Sequence, residues 1–223
     1  MSTIKILVLE NEDYSNTQII DVLRKNGFIV EICENENEFL ENIYYKHYDL
    51  YLIGINEDSL ARFQLMKILN EFQDSTLKLV ISSLPNLIKK SFICGCDECL
   101  IKNLMDEKEL ILRIKALVRR EFKICNDFIK IGKNIKYDIF NKRIFKNKKE
   151  ISLGEKPLLI LDYLLKSRGI FVSSENLENG VYPANSESKN GSIRFHIHKL
   201  RQLIGSDIII SSRTNGYKIN LDK

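Results

Sequence analysis

The sequence predicts an α/β domain on a doubly wound, five-stranded parallel sheet, followed by a smaller α+β domain that ends in a helix and a hairpin. Three observations carry that expectation. Across the first half, short apolar runs alternate with helical patterns, which is how a chain builds a parallel sheet with helices on both faces. From residue 128 the rhythm changes to small alternating strands. Near the end, Gly191-Ser-Ile-Arg-Phe-His-Ile-His-Lys-Leu-Arg-Gln-Leu-Ile-Gly205 places Ile193, Ile197, Leu200 and Ile204 at helical spacing, and residues 211–219 read as two strands around an Asn215-Gly216 turn.

Taken in order, residues 4–9 form an apolar run suited to a strand buried on both faces, and Glu10-Asn-Glu-Asp13 follows at its carboxyl end. A helix over 15–26 stops at Gly27. Residues 28–33, 50–53, 77–81 and 98–101 supply strands two to five, with helices at 38–45, 60–72, 86–94 and 106–120. The domain is expected to end at residue 121, and 122–127 form a short linker without a Gly- or Pro-rich tether. The second domain spans 128–223. Its strands are expected at 128–131, 135–138, 143–145 and 150–153, with Asn147-Lys148 as a turn. A helix then starts near Gly154-Glu-Lys-Pro157 and ends at Gly169; Ser173 or Ser174 caps another to about Val181.

A chain of 223 residues can hold two such domains, each with its own core, and 44% hydrophobic with 29% charged residues is the balance of a soluble globular protein. No run of about 18 apolar residues is present and the opening residues lead straight into a strand, so the expectation is a cytoplasmic protein with no membrane partner. Five cysteines, an odd number, fit reduced thiols. The net charge of +4 is unevenly spread: residues 1–120 carry 15 Lys+Arg against 19 Asp+Glu, and residues 121–223 carry 19 against 11. An acidic half joined to a basic half fits a regulatory module attached to one that meets a polyanion. Neither a Gly-rich phosphate loop, a nucleophile elbow nor a paired-carboxylate cleft is visible, so no catalytic residue, cofactor or metal is expected.

The face of the terminal helix opposite its apolar stripe carries Phe195, His198, Lys199 and Gln202, flanked by Arg194 and Arg201. Cations, an amide and an aromatic suit a helix that lies in a major groove. A helix followed by a basic hairpin marks a winged helix. The second half resembles the DNA-binding effector domain of OmpR/PhoB-type response regulators, and the first half resembles their receiver domain. The resemblance implies that Arg194 and Lys199 contact base edges, that Phe195 lies against a thymine methyl, and that Ser192, His196, His198 and Arg201 meet phosphates. It implies further that Ser211 and Arg213 place the wing on the duplex, and that the loop over 182–188 touches RNA polymerase.

The receiver resemblance also exposes departures. Glu10 stands at the first acidic position of the family's pocket, Ser82 at the switch hydroxyl and Lys102 at the lysine, but Asn11 replaces the second acid and Gly54 the phosphoacceptor aspartate. Acyl phosphate formation needs a carboxylate nucleophile, and glycine has no side chain. The front module therefore reads as a degenerate receiver of an atypical, orphan kind, with Lys102 expected to pair with Glu10. Lys89, Lys90, Asp97, Glu98, Glu109, Arg113, Lys115 and Arg119 stand where the family's receivers pair across a two-fold axis, which implies a homodimer. Cys94, Cys96 and Cys99 cluster on the same element as core filler or as redox-sensitive thiols, with lysines nearby to lower a thiol pKa. The expected function is a phosphorylation-independent, dimeric DNA-binding regulator of transcription. A thiol-responsive regulator is the alternative, and a protein-interaction module a remote one.

Overall fold

The computed structural model describes residues 4–10, 14–182 and 192–221, and the chain divides between Leu117 and Val118 into two compact units. The first is a parallel five-stranded sheet in the order β2-β1-β3-β4-β5, formed by β1 (Lys5–Leu9), β2 (Ile29–Cys33), β3 (Leu50–Ile55), β4 (Leu77–Ser82) and β5 (Glu98–Ile101). Every residue of β3 and β4 is buried, as their largely apolar runs lead one to expect of strands covered on both faces, Lys78 and Ser82 being the polar members of β4. The connecting helices are α1 (Tyr14–Lys25), α2 (Glu36–Tyr45), α3 (Leu60–Glu71), α4 (Ile88–Ile93) and α5 (Glu107–Glu121). Helix α2 begins two residues earlier than its apolar spacing suggests. Asn35 accepts a hydrogen bond from the Glu38 amide while the Glu38 carboxylate accepts one from the Glu34 amide, a box of reciprocal caps at the helix start.

The strand order reverses beside β1, so the carboxyl ends of β1 and β3 flank the crevice where a sheet of this type holds a ligand. Glu10 and Gly54 stand at its rim.

The second unit opens with an antiparallel sheet, β6 (Phe128–Ile131), β7 (Ile135–Asp138), β8 (Arg143–Lys146) and β9 (Lys149–Ile151), paired in chain order. Asn147 and Lys148 both have positive φ, the geometry that a two-residue hairpin turn demands. Three helices follow, α6 (Glu155–Lys166), α7 (Ser174–Val181) and α8 (Ser192–Ile204), and then the hairpin β10 (Ile209–Ser212) and β11 (Gly216–Ile219). Ser173 caps α7 through its hydroxyl, which accepts from the Asn176 amide at 3.0 Å. The unit starts before the expected linker because Phe122 is buried beside Tyr137, and Lys166 pairs with Glu121 at 3.0 Å as well as with Asp162 at 3.2 Å. Asp162 also accepts a buried hydrogen bond from the Tyr137 hydroxyl at 2.6 Å.

The hairpin turn runs over Arg213, Thr214 and Asn215, one residue longer than the expected Asn215-Gly216 turn, and Ser212 pairs with Gly216. Gly216 has φ +89, and a Cβ there would run into the carbonyl of Val172, whose backbone bonds Tyr217 in both directions. Those bonds fasten the wing to the start of α7. Among the described residues, no helix is long and apolar enough to cross a membrane.

Candidate nucleic-acid interface and acidic pocket

Helix α8 buries the stripe read from its sequence: Ile193, Ile197, Leu200 and Ile204 all lie inside. Arg194, Phe195, His198, Lys199 and Gln202 are exposed, while Ser192, His196 and Arg201 are half-buried. The half-buried pair His196 and Arg201 is occupied within the chain. Arg201 donates from Nε and Nη2 to the Ile209 carbonyl at 3.1 and 2.6 Å, and from Nη2 to the Ser211 hydroxyl at 2.6 Å, so it braces the helix against the wing. His196 Nε2 lies 3.2 Å from the Tyr182 hydroxyl. Burial lowers its pKa, and the positive charges of Lys199 and Lys156 lower it further.

Arg201 and Ser211 are thus held to one another by a hydrogen bond, where the sequence suggested separate phosphate contacts. His198 Nε2 lies 3.1 Å from the Gln202 amide nitrogen, and the Lys199 ammonium sits 4.5 Å from the centre of the Phe195 ring. Arg213 is exposed at the wing tip. A groove of about 440 Å³ runs between Ser152–Pro157 and the flank of α8 formed by His196, Lys199 and Leu203, with Lys156 on its wall. The loop expected to touch RNA polymerase lies, beyond Tyr182, outside the described residues.

The acidic pocket of the first unit is filled from within. Arg62 on α3 is only 6% exposed, and its guanidinium lies 3.5 Å from the Glu10 carboxylate and 3.6 Å from that of Glu36 while donating to the Gly54 carbonyl. A Cβ placed on residue 54 would coincide with the Glu10 carboxylate. The ion pair shown for Glu10 is with Arg62. Lys102 lines a cavity of about 250 Å³ with Gln18, Ile19, Val22, Asp106 and Leu110. Ser82 is buried, and its hydroxyl turns back to the Leu84 carbonyl at 2.8 Å. Asn11 lies outside the described residues.

Residues 148–219 match the family described as "Transcriptional regulatory protein, C terminal". Along almost its whole length the chain is 28% identical over 216 residues to the transcriptional regulatory protein PmrA of Pectobacterium parmentieri, covering 96% of each. It is 29% identical over 219 residues to the transcriptional regulatory protein CrdR of Helicobacter pylori, covering 97% of this chain and 98% of the other. The C-terminal part of the chain thus matches a transcriptional regulatory domain, and the whole chain is similar to these transcriptional regulators. The solved response regulator DrrB of Thermotoga maritima, an OmpR/PhoB homologue, is 19% identical, with a TM-score of 0.47, over 98% of this chain and all of that one.

In the first unit the α4–β5–α5 face carries both charge and apolar surface. Arg113 forks onto Glu109 at 2.7 Å and reaches Glu98 at 3.2 Å, while Phe92, Ile93 and Leu112 stand exposed around them. Lys89 is exposed and Lys115 half-buried. Besides Glu98, Glu109 and Arg113, three more residues of the expected two-fold set are engaged in the chain itself. Lys90 stacks 4.1 Å over the Phe63 ring, Asp97 accepts from the Lys78 amide at 2.8 Å, and Arg119 pairs with Asp127 at 3.2 Å.

Cys94 and Cys96 are buried and Cys99 half-buried. Burial, the neighbouring Cys99 and the acids Asp97 and Glu98 push the Cys96 thiol up to about 12, and burial raises Cys99 too. The expected lowering by nearby lysines is absent from the causes acting on these two thiols. The thiolate is the reactive form, so burial works against reaction at Cys96 and Cys99.

Sequence reasoning missed Arg62, Tyr182 and the bracing role of Arg201. A signal for Arg62 was available: it precedes Leu65, Met66 and Leu69 by three, four and seven residues, which puts a cation on the buried stripe of α3.

Proposed function

We propose that this protein is an OmpR/PhoB-type response regulator, a cytoplasmic transcription factor that binds double-stranded DNA as a homodimer, without phosphorylation of its receiver. The observation that carries the DNA reading is the outer face of α8, where Arg194, Phe195, His198, Lys199 and Gln202 stand exposed on a rod seated by four buried aliphatic residues. A major groove admits such a helix, and the wing beside it presents Arg213 to the backbone. Titrating the full chain against duplex fragments of its own genome at rising salt tests this. Affinity is expected to fall linearly in log–log form, with a slope that Arg213→Ala makes shallower by about one. Salt-independent binding, or none at low salt, would refute it.

Independence from phosphorylation is supported by Gly54, which offers no nucleophile, and by Arg62, which holds the Glu10 carboxylate where an acceptor's Cβ would stand. Acetyl phosphate or phosphoramidate with Mg²⁺ is expected to leave the intact mass unchanged, and a stable adduct of about +80 Da on residues 4–117 overturns this part. Dimerisation is supported by Phe92, Ile93 and Leu112, apolar groups exposed around the Glu98–Arg113–Glu109 cluster. RNA polymerase is the further partner through residues 182–188.

A further inference from the structure

The side chains of α8 divide by what they already hold, and the division narrows which of them read bases. Arg201 is taken up by the Ile209 carbonyl and Ser211, and His196 by Tyr182. On the outer face, Phe195 is 55% exposed, a large apolar ring that contributes nothing to the core. The Lys199 ammonium, one turn along, is held 4.5 Å from the centre of that ring. An ammonium drawn to a ring face loses much of its freedom, so the two residues act as one unit with an apolar edge and a fixed donor.

Each part of that unit suits one base. Lys carries donors and no acceptor, so in the major groove it favours guanine, whose N7 and O6 both accept, over adenine or cytosine, which present an amino donor. Phe offers only apolar surface, and the thymine methyl is the one apolar group on the major-groove edge. Stacked bases rise about 3.4 Å per step, so two groups 4.5 Å apart fall on neighbouring positions.

Resting on the DNA reading above, we infer that Phe195 and Lys199 form a coupled reader, and that the half-site contains a thymine with a guanine immediately beside it. The pair reads the methyl and the two guanine acceptors together, with Arg194 one position away on the helix.

The test selects duplexes bound by the full chain from a random pool and then alters single atoms of the selected site. Deoxyuridine in place of the contacted thymine is expected to weaken wild-type binding about fourfold, the worth of one buried methyl, and to leave Phe195→Ala unaffected. Phe195→Leu keeps an apolar surface and is expected to retain part of that sensitivity. 7-Deazaguanine at the neighbouring guanine, which removes an acceptor, is expected to weaken wild type at least fivefold and Lys199→Ala hardly at all. Coupling appears as a reduced guanine preference in Phe195→Leu, which has lost the ring beneath the ammonium. A selected site that tolerates deoxyuridine at every thymine overturns the inference and leaves DNA binding standing. Equal guanine preference in wild type and Phe195→Leu overturns the coupling. A pool that yields no bound duplex at low salt refutes the DNA reading itself, and the inference with it.

Discussion

Replacing Arg62 by methionine removes the guanidinium at the carboxyl end of β3 and keeps an apolar stem of similar length. In the wild-type chain that guanidinium meets, among the described residues, the Glu10 and Glu36 carboxylates, at 3.5 and 3.6 Å, and the Gly54 carbonyl. Breaking a fully buried ion pair costs about 3–5 kcal/mol, because the abandoned charge stays in a poor dielectric. Here the arginine side chain is 7% exposed, but those of Glu10 and Glu36 are 20% and 31% exposed, so water recovers part of the loss. A cost of about 2 kcal/mol follows, which for a unit of this size lowers the melting temperature by roughly 6–10 °C. Urea and thermal unfolding of the full chain, followed by near-ultraviolet circular dichroism, measure it. Adding Glu10→Gln to Arg62→Met removes the orphaned charge and is expected to restore about half of the loss. An Arg62→Met protein that melts within about 1 °C of wild type would show that the arginine is not the counter-ion of this pocket.

A carboxylate placed at residue 54 as Gly54→Asp is expected to push the Glu10 carboxylate, the end of a flexible side chain, off its Arg62 contact and to lower the melting temperature; an unchanged melting temperature refutes the steric argument. Alkylation of the native chain at pH 8, followed by peptide mapping, is expected to mark the exposed Cys125 first and Cys96 last, since burial holds that thiol at about 12. Early modification of Cys96 would reopen the redox reading. His196 has a folded pKa below its ordinary 6.5, so the unfolded chain takes up the proton first as pH falls. Stability is then expected to drop as pH is lowered below about 6.5, and His196→Gln to flatten that part of the urea-midpoint profile; an identical slope in the variant refutes the assignment.

Most of the architecture was legible because the sequence patterns and the burial agree. The largely apolar runs at 50–55 and 77–82 are strands covered on both faces, and the 193, 197, 200, 204 stripe is the buried edge of α8. Boundaries slipped where capping outweighs periodicity, as at Asn35, and where a buried aromatic extends a unit, as Phe122 does. The candidate site was legible by residue type and less so by partner. A row of cations on a helix does not reveal that Arg201 turns to a strand eight residues on, or that Lys199 rests on Phe195, since both depend on how side chains settle after the backbone is fixed. Likewise Gly54 was legible in the sequence, but not that the Glu10 carboxylate lies where its Cβ would stand, nor that Arg62 of α3 pairs with that carboxylate.

The contents of that pocket bear on how such a regulator is controlled. Mg²⁺ takes oxygen ligands in near-octahedral array and gives up its waters reluctantly. It would meet a Glu10 carboxylate already shared with a guanidinium, and the guanidinium's own charge repels it. A divalent cation binding at Glu10 would therefore compete with Arg62, at a cost comparable to that of the Arg62→Met change. Under the phosphorylation-independent reading, the first unit is not switched by phosphate, and a ligand without differential affinity for two states shifts no equilibrium. Under the dimer reading, control then passes to mass action: two copies must meet through the α4–β5–α5 face, so promoter occupancy rises with the square of the free monomer concentration at low dose. Leu112→Glu, an exposed change on that face, is expected to weaken self-association and to move occupancy of paired half-sites toward higher protein concentration, while leaving affinity for a single half-site as it was. Analytical ultracentrifugation paired with titration of one and two half-sites separates the effects, and equal losses on both templates would mean that the receiver face does not assemble the dimer.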